Sequence, residues 1–319
     1  MSLRKLPAYL TVAVIVTIYA DIHTLRFEHY FLLSFSISLA VISRRTRDLL
    51  IAVLPLIAFG WIYDLMRLFE ARAAEVAIVE AIYDAERLLF GWMTPETGDL
   101  GPVDFFRDHH HIVVDALGGL TYAMHLPTAI IFGLYLWWRC EQTVERSDRK
   151  RLHIFMWGFL TMAVIALAVQ ALLPVAPPWY VEQYGFEPPG TPIEGDPAGL
   201  ARVDAVLGFA YFRDVYAHSA YVLGALPSLH VGPATWLALN VRDKRGRIAA
   251  WGLALAMSFF AVYLTHHYLL DVLAGGLLSL SVYLLLTRTR LGQVPVRLHR
   301  LLFDVFFGPD QRPDKWKST

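Results

Sequence analysis

Residues 268–287 read YLLDVLAGGLLSLSVYLLLT, an apolar run in which Asp271 is the only charged side chain. A helix needs about 20 mostly apolar residues to cross the hydrocarbon core of a bilayer, and this run has that length. The whole chain shares this character, because 56% of its 319 residues are hydrophobic and 18% are charged. A soluble domain carries about 25% charged residues. The sequence therefore predicts an integral membrane protein.

Net charge and cysteine content exclude other classes of protein. Lys and Arg number 28, and so do Asp and Glu, so the chain lacks the basic excess of a nucleic-acid-binding protein. Cys140 is the only cysteine, which excludes an intrachain disulfide and a zinc site built on cysteines.

The apolar runs predict an all-α integral membrane fold of about eight transmembrane helices. The first run follows Arg4 and Lys5 and is alternatively a signal peptide, although no small-x-small cleavage site comes after it. The predicted spans are residues 6–20, 27–43, 49–69, 112–138, 153–175, 220–241, 248–265 and 268–287.

The distribution of basic side chains agrees with this count. Of the 28 Lys and Arg residues, 21 lie in the N-terminus, in every second predicted loop and in the C-terminus. Since cytoplasmic loops carry an excess of Lys and Arg, we expect both termini in the cytoplasm and the active segments on the opposite face. The predicted organisation is two N-terminal helices (1–48), a six-helix membrane core (49–287) with outer loops 70–111 and 176–219, and a basic cytoplasmic tail (288–319).

The two long outer loops differ in character. Residues 75–92 combine apolar side chains at helical spacing with acidic ones between them, which predicts an amphipathic helix at the membrane interface. Residues 176–219 are rich in Pro and Gly and are too polar to span the bilayer. Because loops of this length are usually functional, we expect the second loop to contribute to a site.

The first polar cluster within the spans is GALPSLH, residues 224–230. Pro227 suits the first turn of a helix. Free backbone N–H groups at such a turn favour an anion, and Ser228 adds a hydroxyl. His230 places a titratable imidazole at the same end of the span.

The second cluster is YLTHHYLLD, residues 263–271. His267 and Asp271 are spaced i, i+4 and so share a helix face. A carboxylate bonded to one imidazole nitrogen fixes the tautomer and makes the other nitrogen more nucleophilic. His266 adds a third candidate ligand, but adjacent histidines on a helix point about 100° apart, which disfavours a metal site. Either cluster alone fits ordinary interfacial hydrogen bonding, whereas together they indicate phosphoryl transfer without a metal or another cofactor.

Other histidines leave alternatives open. The tract at 109–111 precedes a predicted span, and we expect it to be solvated rather than to bind a metal. Asp115 and His125 lie on one predicted span. They either hydrogen-bond within the helix bundle or line a pocket for a headgroup.

Pro-Ser-x-His at 227–230, followed by His-x-x-x-Asp at 267–271, resembles the type-2 phosphatidic acid phosphatase superfamily. Four segments resemble one branch of it, the inositol phosphorylceramide synthases, which are the aureobasidin-sensitive enzymes of fungi and their bacterial relatives. These segments are residues 174–180, 195–204, 224–230 and 263–275, and Asp115, Tyr122, His125 and Pro127 also resemble the pattern of that branch. The resemblance covers roughly residues 80–287.

This resemblance implies a six-helix catalytic core and a phosphohistidine formed on His267. It implies that Asp271 orients His267 and that His230 protonates the leaving lipid alcohol. The predicted substrate-binding residues are Ser228, Arg202, Arg213, Tyr180, His266, Asp115 and His125.

The sequence also departs from the superfamily pattern. Phe260 and Ala261 stand where the superfamily has a Ser-Arg pair, and the Lys-rich first motif is absent near residues 170–177. Fewer cations suit a phosphodiester, which carries one negative charge, better than a monoester. Arg202 and Arg213 could supply a remaining cation from the outer loop, or each is a solvated loop residue.

We therefore expect a phospholipid headgroup transferase whose partners are membrane lipids. Phosphatidylinositol is the expected donor, and ceramide or another lipid alcohol is the expected acceptor of phosphoinositol. One alternative is a lipid phosphate phosphatase that uses water as the acceptor. An alternative of another class is a membrane transporter with a proton relay, although such sites usually lie at the midplane of the bilayer.

Overall fold

The computed structural model describes Thr17 and residues 25–95, 101–143 and 146–312. Regular structure in these residues is helical, apart from isolated bridges that join Val175 to Ile78 and to Gly224. The predicted all-α fold is therefore confirmed. The predicted span at 6–20 lies outside the described residues, except for Thr17.

Fifteen α-helices occupy the described part of the chain, and short 3₁₀ turns connect several of them. In chain order they are α1 Phe27–Ile42, α2 Arg44–Asp64, α3 Glu70–Val76, α4 Glu80–Phe90, α5 Pro102–Asp108, α6 Ile112–Ala123, α7 His125–Gln142, α8 Arg146–Leu172, α9 Pro178–Tyr184, α10 Ala201–Leu207, α11 Tyr211–Ala217, α12 Val231–Asn240, α13 Lys244–Tyr263, α14 Leu269–Arg288 and α15 Val294–Phe307.

Four helical segments in the described residues are long and apolar enough to cross a membrane: Arg44–Val76, Ser147–Leu172, Lys244–Tyr263 and Leu269–Arg288. The pair α6 and α7, bent by 43° between them, gives a fifth if it forms one span. The chain is thus a multi-pass integral membrane protein, but the count of eight spans is not confirmed. Helix α1, predicted as a span at 27–43, has 16 residues, fewer than the roughly 20 that a span needs.

The prediction of a continuous membrane-spanning helix at 220–241 is wrong. Only α12, with ten residues, is helical, and residues 220–230 are irregular. Their backbone groups bond to distant segments, because Ala225 N–H donates to Val175 O (3.0 Å) and Ser228 N–H donates to Asp271 O (3.0 Å). A buried backbone must satisfy its polar groups, and here it does so outside a helix.

The amphipathic helix predicted at 75–92 is two helices. The chain breaks between α3 and α4, where Ile78 N–H donates to Pro174 O (2.8 Å) and Ile78 O accepts from Ala176 N–H (3.1 Å). This pairing fixes the second outer loop to the first. The second loop itself contains α9, α10 and α11.

The chain forms two compact units. The first comprises the described residues within 1–61, 132–160 and 285–319, and the second comprises those within 62–131 and 161–284. Phe155 and Phe303 are fully buried in the first unit, and Trp236 and Tyr268 in the second. The residues of both polar clusters belong to the second unit.

Candidate active site

Helix α6 forms one wall of the site with a face whose residues recur at helical spacing. Asp115, Gly118, Gly119 and Tyr122 are buried, whereas Leu117 and its neighbours on the other face are exposed. The two glycines allow close packing. A Cβ atom at Gly118 would lie 3.0 Å from the Phe260 ring, and one at Gly119 would lie 2.9 Å from Val203. The face that carries Asp115 and Tyr122 is therefore pressed against α13 and α10.

Residues 224–230 place His230 at the start of α12. Gln170 Nε2 donates to Pro227 O (3.0 Å), and Val231 N–H donates to the buried Ser228 hydroxyl (3.3 Å). Gly275 lets α14 approach this segment, because a Cβ atom there would lie 2.5 Å from Ser228 O. Helix α12 begins at Val231, so the expectation that Pro227 occupies the first turn of a helix is wrong. The Leu226–Pro227 peptide is cis.

The turn between α13 and α14 presents the other two histidines. Thr265 has φ 57°, a left-handed conformation that is unusual for a β-branched residue. The amides of His266 and His267 both donate to Ala261 O, at 3.1 and 3.0 Å. The turn is held from outside as well, since Trp179 N–H donates to Thr265 O (3.2 Å).

His230, His267 and Asp271 form a continuous row. His230 Nδ1 lies 3.1 Å from His267 Nε2, and His267 Nδ1 lies 3.4 Å from Asp271 Oδ2. Asp271 is fully buried, and its Oδ2 also accepts from Tyr268 N–H (2.9 Å). The 3.4 Å separation is long for a hydrogen bond, as is common at catalytic sites before substrate binds. His267 precedes α14, so the pairing joins a turn to a helix rather than two positions on one helix face.

His266 and His125 flank this row. The His266 ring stacks on Tyr216 at 4.7 Å and on Tyr122 at 5.3 Å. Burial lowers the pKa of His266 to about 3, with His267 adding to the effect and a backbone hydrogen bond to Pro197 opposing it. His266 is thus neutral at pH 7, and its Nε2 has no hydrogen-bond partner among the described residues. The His125 ring lies 4.9 Å from that of His230, and His125 Nδ1 lies 2.7 Å from Tyr122 O.

Asp115 pairs with Arg202 rather than with His125. Arg202 Nε and Nη2 donate to Asp115 Oδ1 at 3.0 and 2.8 Å, and the Tyr263 hydroxyl donates to the same oxygen at 3.0 Å. Of the two alternatives for Asp115, the structure shows hydrogen bonding within the bundle. The guanidinium of Arg202 therefore has a buried partner, but it carries more donors than Asp115 uses.

Two other predicted substrate contacts lie on the outer loop in different settings. Arg213 is exposed on α11, and its backbone N–H donates to Asp204 Oδ2 (2.9 Å). Tyr180 is buried in α9, and its hydroxyl donates to Glu187 O (2.6 Å). The structure thus brings His266, His125 and Ser228 to the row of catalytic candidates. It places Arg213 at the surface, and the Tyr180 hydroxyl forms its hydrogen bond within the loop.

Glu86 on α4 is a site residue that the sequence did not reveal. Its two carboxylate oxygens accept from Leu269 N–H (2.8 Å) and Leu270 N–H (3.2 Å), the first two residues of α14. Burial raises the pKa of Glu86 to about 7, opposed by these two hydrogen bonds, and Asp271 and Asp104 raise it further. Glu86 holds the helix start that carries Asp271. Nothing in the sequence separates it from Glu80 on the same helix, which is exposed.

The arrangement suits nucleophilic catalysis by an imidazole. A buried carboxylate faces one nitrogen of His267, and a second imidazole faces the other nitrogen and can carry a proton. No group of His, Cys, Asp or Glu side chains in the described residues has a geometry that could hold a metal ion.

Comparisons with known proteins extend over most of the chain. A family model described as the PAP2 superfamily matches residues 101–285. The phosphoinositol dihydroceramide synthase of Bacteroides thetaiotaomicron is 34% identical over 289 residues, which are 89% of this chain and 90% of that protein. The inositol phosphorylceramide synthase catalytic subunit of Schizosaccharomyces pombe is 32% identical over 58% of this chain and 43% of its own length. The corresponding subunit of Saccharomyces cerevisiae is 34% identical over 42% of this chain and 33% of its own length. No solved structure gives a significant match.

Proposed function

Since the chain belongs to the PAP2 superfamily, and within it to the family of the inositol phosphorylceramide synthases, we propose that it transfers phosphoinositol from phosphatidylinositol to ceramide or to another lipid alcohol. The observation that carries this proposal is the row of His230, His267 and Asp271 within the matched region. The relative that matches along nearly its whole length is named as a synthase of phosphoinositol dihydroceramide, a name that contains the same headgroup.

In the first step His267 Nε2 attacks the phosphorus of the donor. A P–N bond forms, and the bond from phosphorus to the diacylglycerol oxygen breaks. Burial lowers the pKa of the His230 imidazole in the free site, and the negative charge of the bound phosphate raises it again. His230, protonated in that complex, gives the diacylglycerol oxygen a proton. Asp271 faces Nδ1 of His267 and stabilises the positive charge that develops on the ring. Because His230 Nδ1 and His267 Nε2 are in contact at rest, the phosphate has to separate the two rings.

In the second step the hydroxyl of the acceptor attacks the phosphohistidine. The now neutral His230 takes the hydroxyl proton, the P–N bond breaks, and His267 is restored. Proton and charge return to their starting positions. Arg202 and the neutral His266, whose Nε2 is unpartnered among the described residues, are the proposed contacts for the phosphate and the headgroup.

The reaction class is tested with purified protein in lipid nanodiscs. Phosphatidylinositol labelled in its headgroup should give a labelled product only when ceramide or another lipid alcohol is added. Phosphatidic acid should react at least about tenfold more slowly, because a site with fewer cations leaves the second charge of a monoester uncompensated. Rapid release of inorganic phosphate from phosphatidic acid, without transfer from any diester, would favour the phosphatase alternative.

Two arginine variants serve as a matched pair in this assay. Arg202→Lys keeps the charge but loses the forked contact with Asp115, and we expect it to lower kcat/KM by about tenfold. Arg213→Lys changes an exposed side chain of the same loop and should stay within about twofold of the wild type. Equal effects of the two changes would contradict a role for Arg202 at the phosphate.

A prediction about pH follows from Glu86. Its ionised form accepts both N–H groups at the start of α14, and its pKa is about 7. Turnover should therefore rise as the pH increases through about 7. Stability changes in the opposite sense. An ordinary glutamate carboxyl, as in the unfolded chain, has a pKa of 4.5, so the raised pKa of Glu86 in the folded protein stabilises the folded state at low pH. This contribution to the free energy of unfolding is lost as the pH rises to about 7.

Glu86→Gln should lower kcat by about tenfold or more with little change in KM, because a misplaced helix start shifts the catalytic geometry. It should also remove the rise in turnover near pH 7, since glutamine does not titrate. Glu80→Gln, on the exposed face of the same helix, is the control. A Glu86→Gln enzyme with the rate and pH profile of the wild type would show that Glu86 does not position α14.

We also propose that both termini face the cytoplasm and that the site faces the opposite side. The alternation of basic loops supports this orientation. In a Cys140→Ala background, a cysteine at Glu194 should react with a membrane-impermeant maleimide added to intact cells, and one at Lys244 should not. Both positions are exposed. Labelling at Lys244 with protection at Glu194 would reverse the orientation.

A further inference from the structure

The second outer loop contains a helical hairpin whose apolar tip is exposed. Helices α10 and α11, residues 201–217, meet at Gly208, which adopts φ 75° and ends α10. Residues 205–212 read AVLGFAYF and contain no charged side chain. Val206, Leu207, Phe209, Tyr211 and Val215 are between 47% and 60% exposed. A contiguous apolar surface of this kind is rare in contact with water and indicates an interaction surface.

The base of the hairpin is fixed on both sides. At its beginning, Arg202 pairs with Asp115 of α6. At its end, Tyr216 stacks on His266, and Arg67 Nη2 donates to His218 O (2.7 Å). The two helices are also joined to each other, because the carboxylate of Asp204 accepts from Phe212 N–H and Arg213 N–H, both at 2.9 Å. The exposed tip is thus part of a rigid element and not a loose loop end.

The hairpin packs directly on α6. Val203 and Phe212 of the hairpin pack over Gly119 of α6. Next to Gly119, on the face that points away from the site, Leu120 is 63% exposed. Helix α6 belongs to the bent pair that is long and apolar enough to span the membrane. A side chain such as Leu120, exposed on a span, faces acyl chains, and the hairpin with its exposed apolar tip is packed on the same helix.

We propose that the tip of the hairpin, residues 205–211, is embedded in the acyl-chain region of the leaflet that borders the site. Phe209 is apolar and suits the acyl-chain region, and Tyr211 suits its edge, because Tyr and Trp concentrate at membrane interfaces. Arg213 and Asp214 follow the tip and are exposed, as expected where the chain returns to the polar headgroups. Under the proposed function, the same leaflet supplies the lipid substrates.

The embedding also links the bilayer to the site. The hairpin carries Arg202 at one end and Tyr216 at the other, and these two residues contact Asp115 and His266. Anchoring the tip in lipid holds both contacts in place. Removal of the apolar tip should therefore affect the use of lipids presented in a bilayer more than the use of short-chain lipids dissolved in detergent.

Spin labels measure the depth of the tip directly. In a Cys140→Ala background, single cysteines at Phe209, Leu120 and Glu194 are labelled with a nitroxide in nanodiscs. Collisions with oxygen and with a water-soluble nickel complex are then compared. We expect the label at 209 to be accessible to oxygen and shielded from nickel, like that at Leu120. The label at Glu194, which is exposed in the same outer loop, should be accessible to nickel.

Two results would overturn the proposal. Nickel accessibility at 209 equal to that at Glu194 would place the tip in water. Shielding at 209 from both reagents would place it against protein, either a second copy or another partner. Because the label reports depth without turnover, failure here is separate from failure of the proposed function.

Activity provides the second measurement. The double variant Leu207→Ser, Phe209→Ser should raise KM at least about fivefold for phosphatidylinositol in vesicles. A short-chain donor in detergent should react within about twofold of the wild-type rate. An unchanged KM in vesicles, or an equal loss with both donors, would contradict the embedding of the tip.

Discussion

Replacement of His267 by alanine is expected to lower turnover by about 10⁴-fold or more, since it removes the nitrogen that we propose attacks phosphorus. The residue lies between a buried carboxylate and the His230 ring, and none of its neighbours can take its place without moving. His266 is stacked between two tyrosines, and His230 lacks a carboxylate partner among the described residues.

The measurement combines rate and covalent labelling. Initial rates are determined with headgroup-labelled phosphatidylinositol and a lipid alcohol, and the rapidly quenched protein is analysed for label at His267. The wild type should carry an acid-labile phosphoinositol group there, and His267→Ala should carry none. His110→Ala, which changes an exposed loop histidine, should retain both rate and label. A folded His267→Ala protein with near-normal turnover would refute the assignment of the nucleophile.

The second large effect is expected for Asp271→Asn, with a loss in kcat of about 10³- to 10⁴-fold. The asparagine oxygen can still accept from Tyr268 N–H, so the turn can be preserved. The same oxygen faces Nδ1 of His267, so the ring keeps its tautomer, but the amide carries no negative charge. The positive charge that develops on the ring during attack then loses its buried counter-ion.

A role in stabilising charge separates Asp271 from a purely structural residue. We expect KM and the unfolding temperature of Asp271→Asn to stay close to those of the wild type while kcat falls. Asp84→Asn, which changes an exposed carboxylate on α4, is the matched control. A loss of turnover that parallels a loss of folded protein would indicate that Asp271 acts on stability alone.

Local sequence signals predicted those parts of the site that depend on nearby residues. The spacing of His267 and Asp271 predicts their pairing, and the two side chains lie 3.4 Å apart. The apolar character of residues 268–287 predicts α14, which begins at Leu269. Both depend on contacts within a few residues of the chain, although His267 lies in the turn before α14 and not on a shared helix face.

Contacts between distant segments account for what the sequence did not show. Residues 220–230 look like part of an apolar span, but Ala225 and Ser228 bond to Val175 and Asp271 instead. Arg202 looks like a free loop cation, yet its partner Asp115 lies 87 positions away in the chain. In the sequence, nothing distinguishes Glu86 from Glu80. The difference is the contact of Glu86 with the start of α14. No periodicity or local motif encodes these pairings.

The burial of His267, which is 5% exposed, has a consequence for the direction of the reaction. Under the proposed mechanism, a phosphohistidine sheltered from water persists until the hydroxyl of a lipid reaches it, and diacylglycerol carries such a hydroxyl as well as the acceptor. The intermediate can then return to its starting lipid, so the proposed reaction exchanges one alcohol for another and is reversible. The direction of net transfer would follow the relative amounts of donor, acceptor and their products in the leaflet.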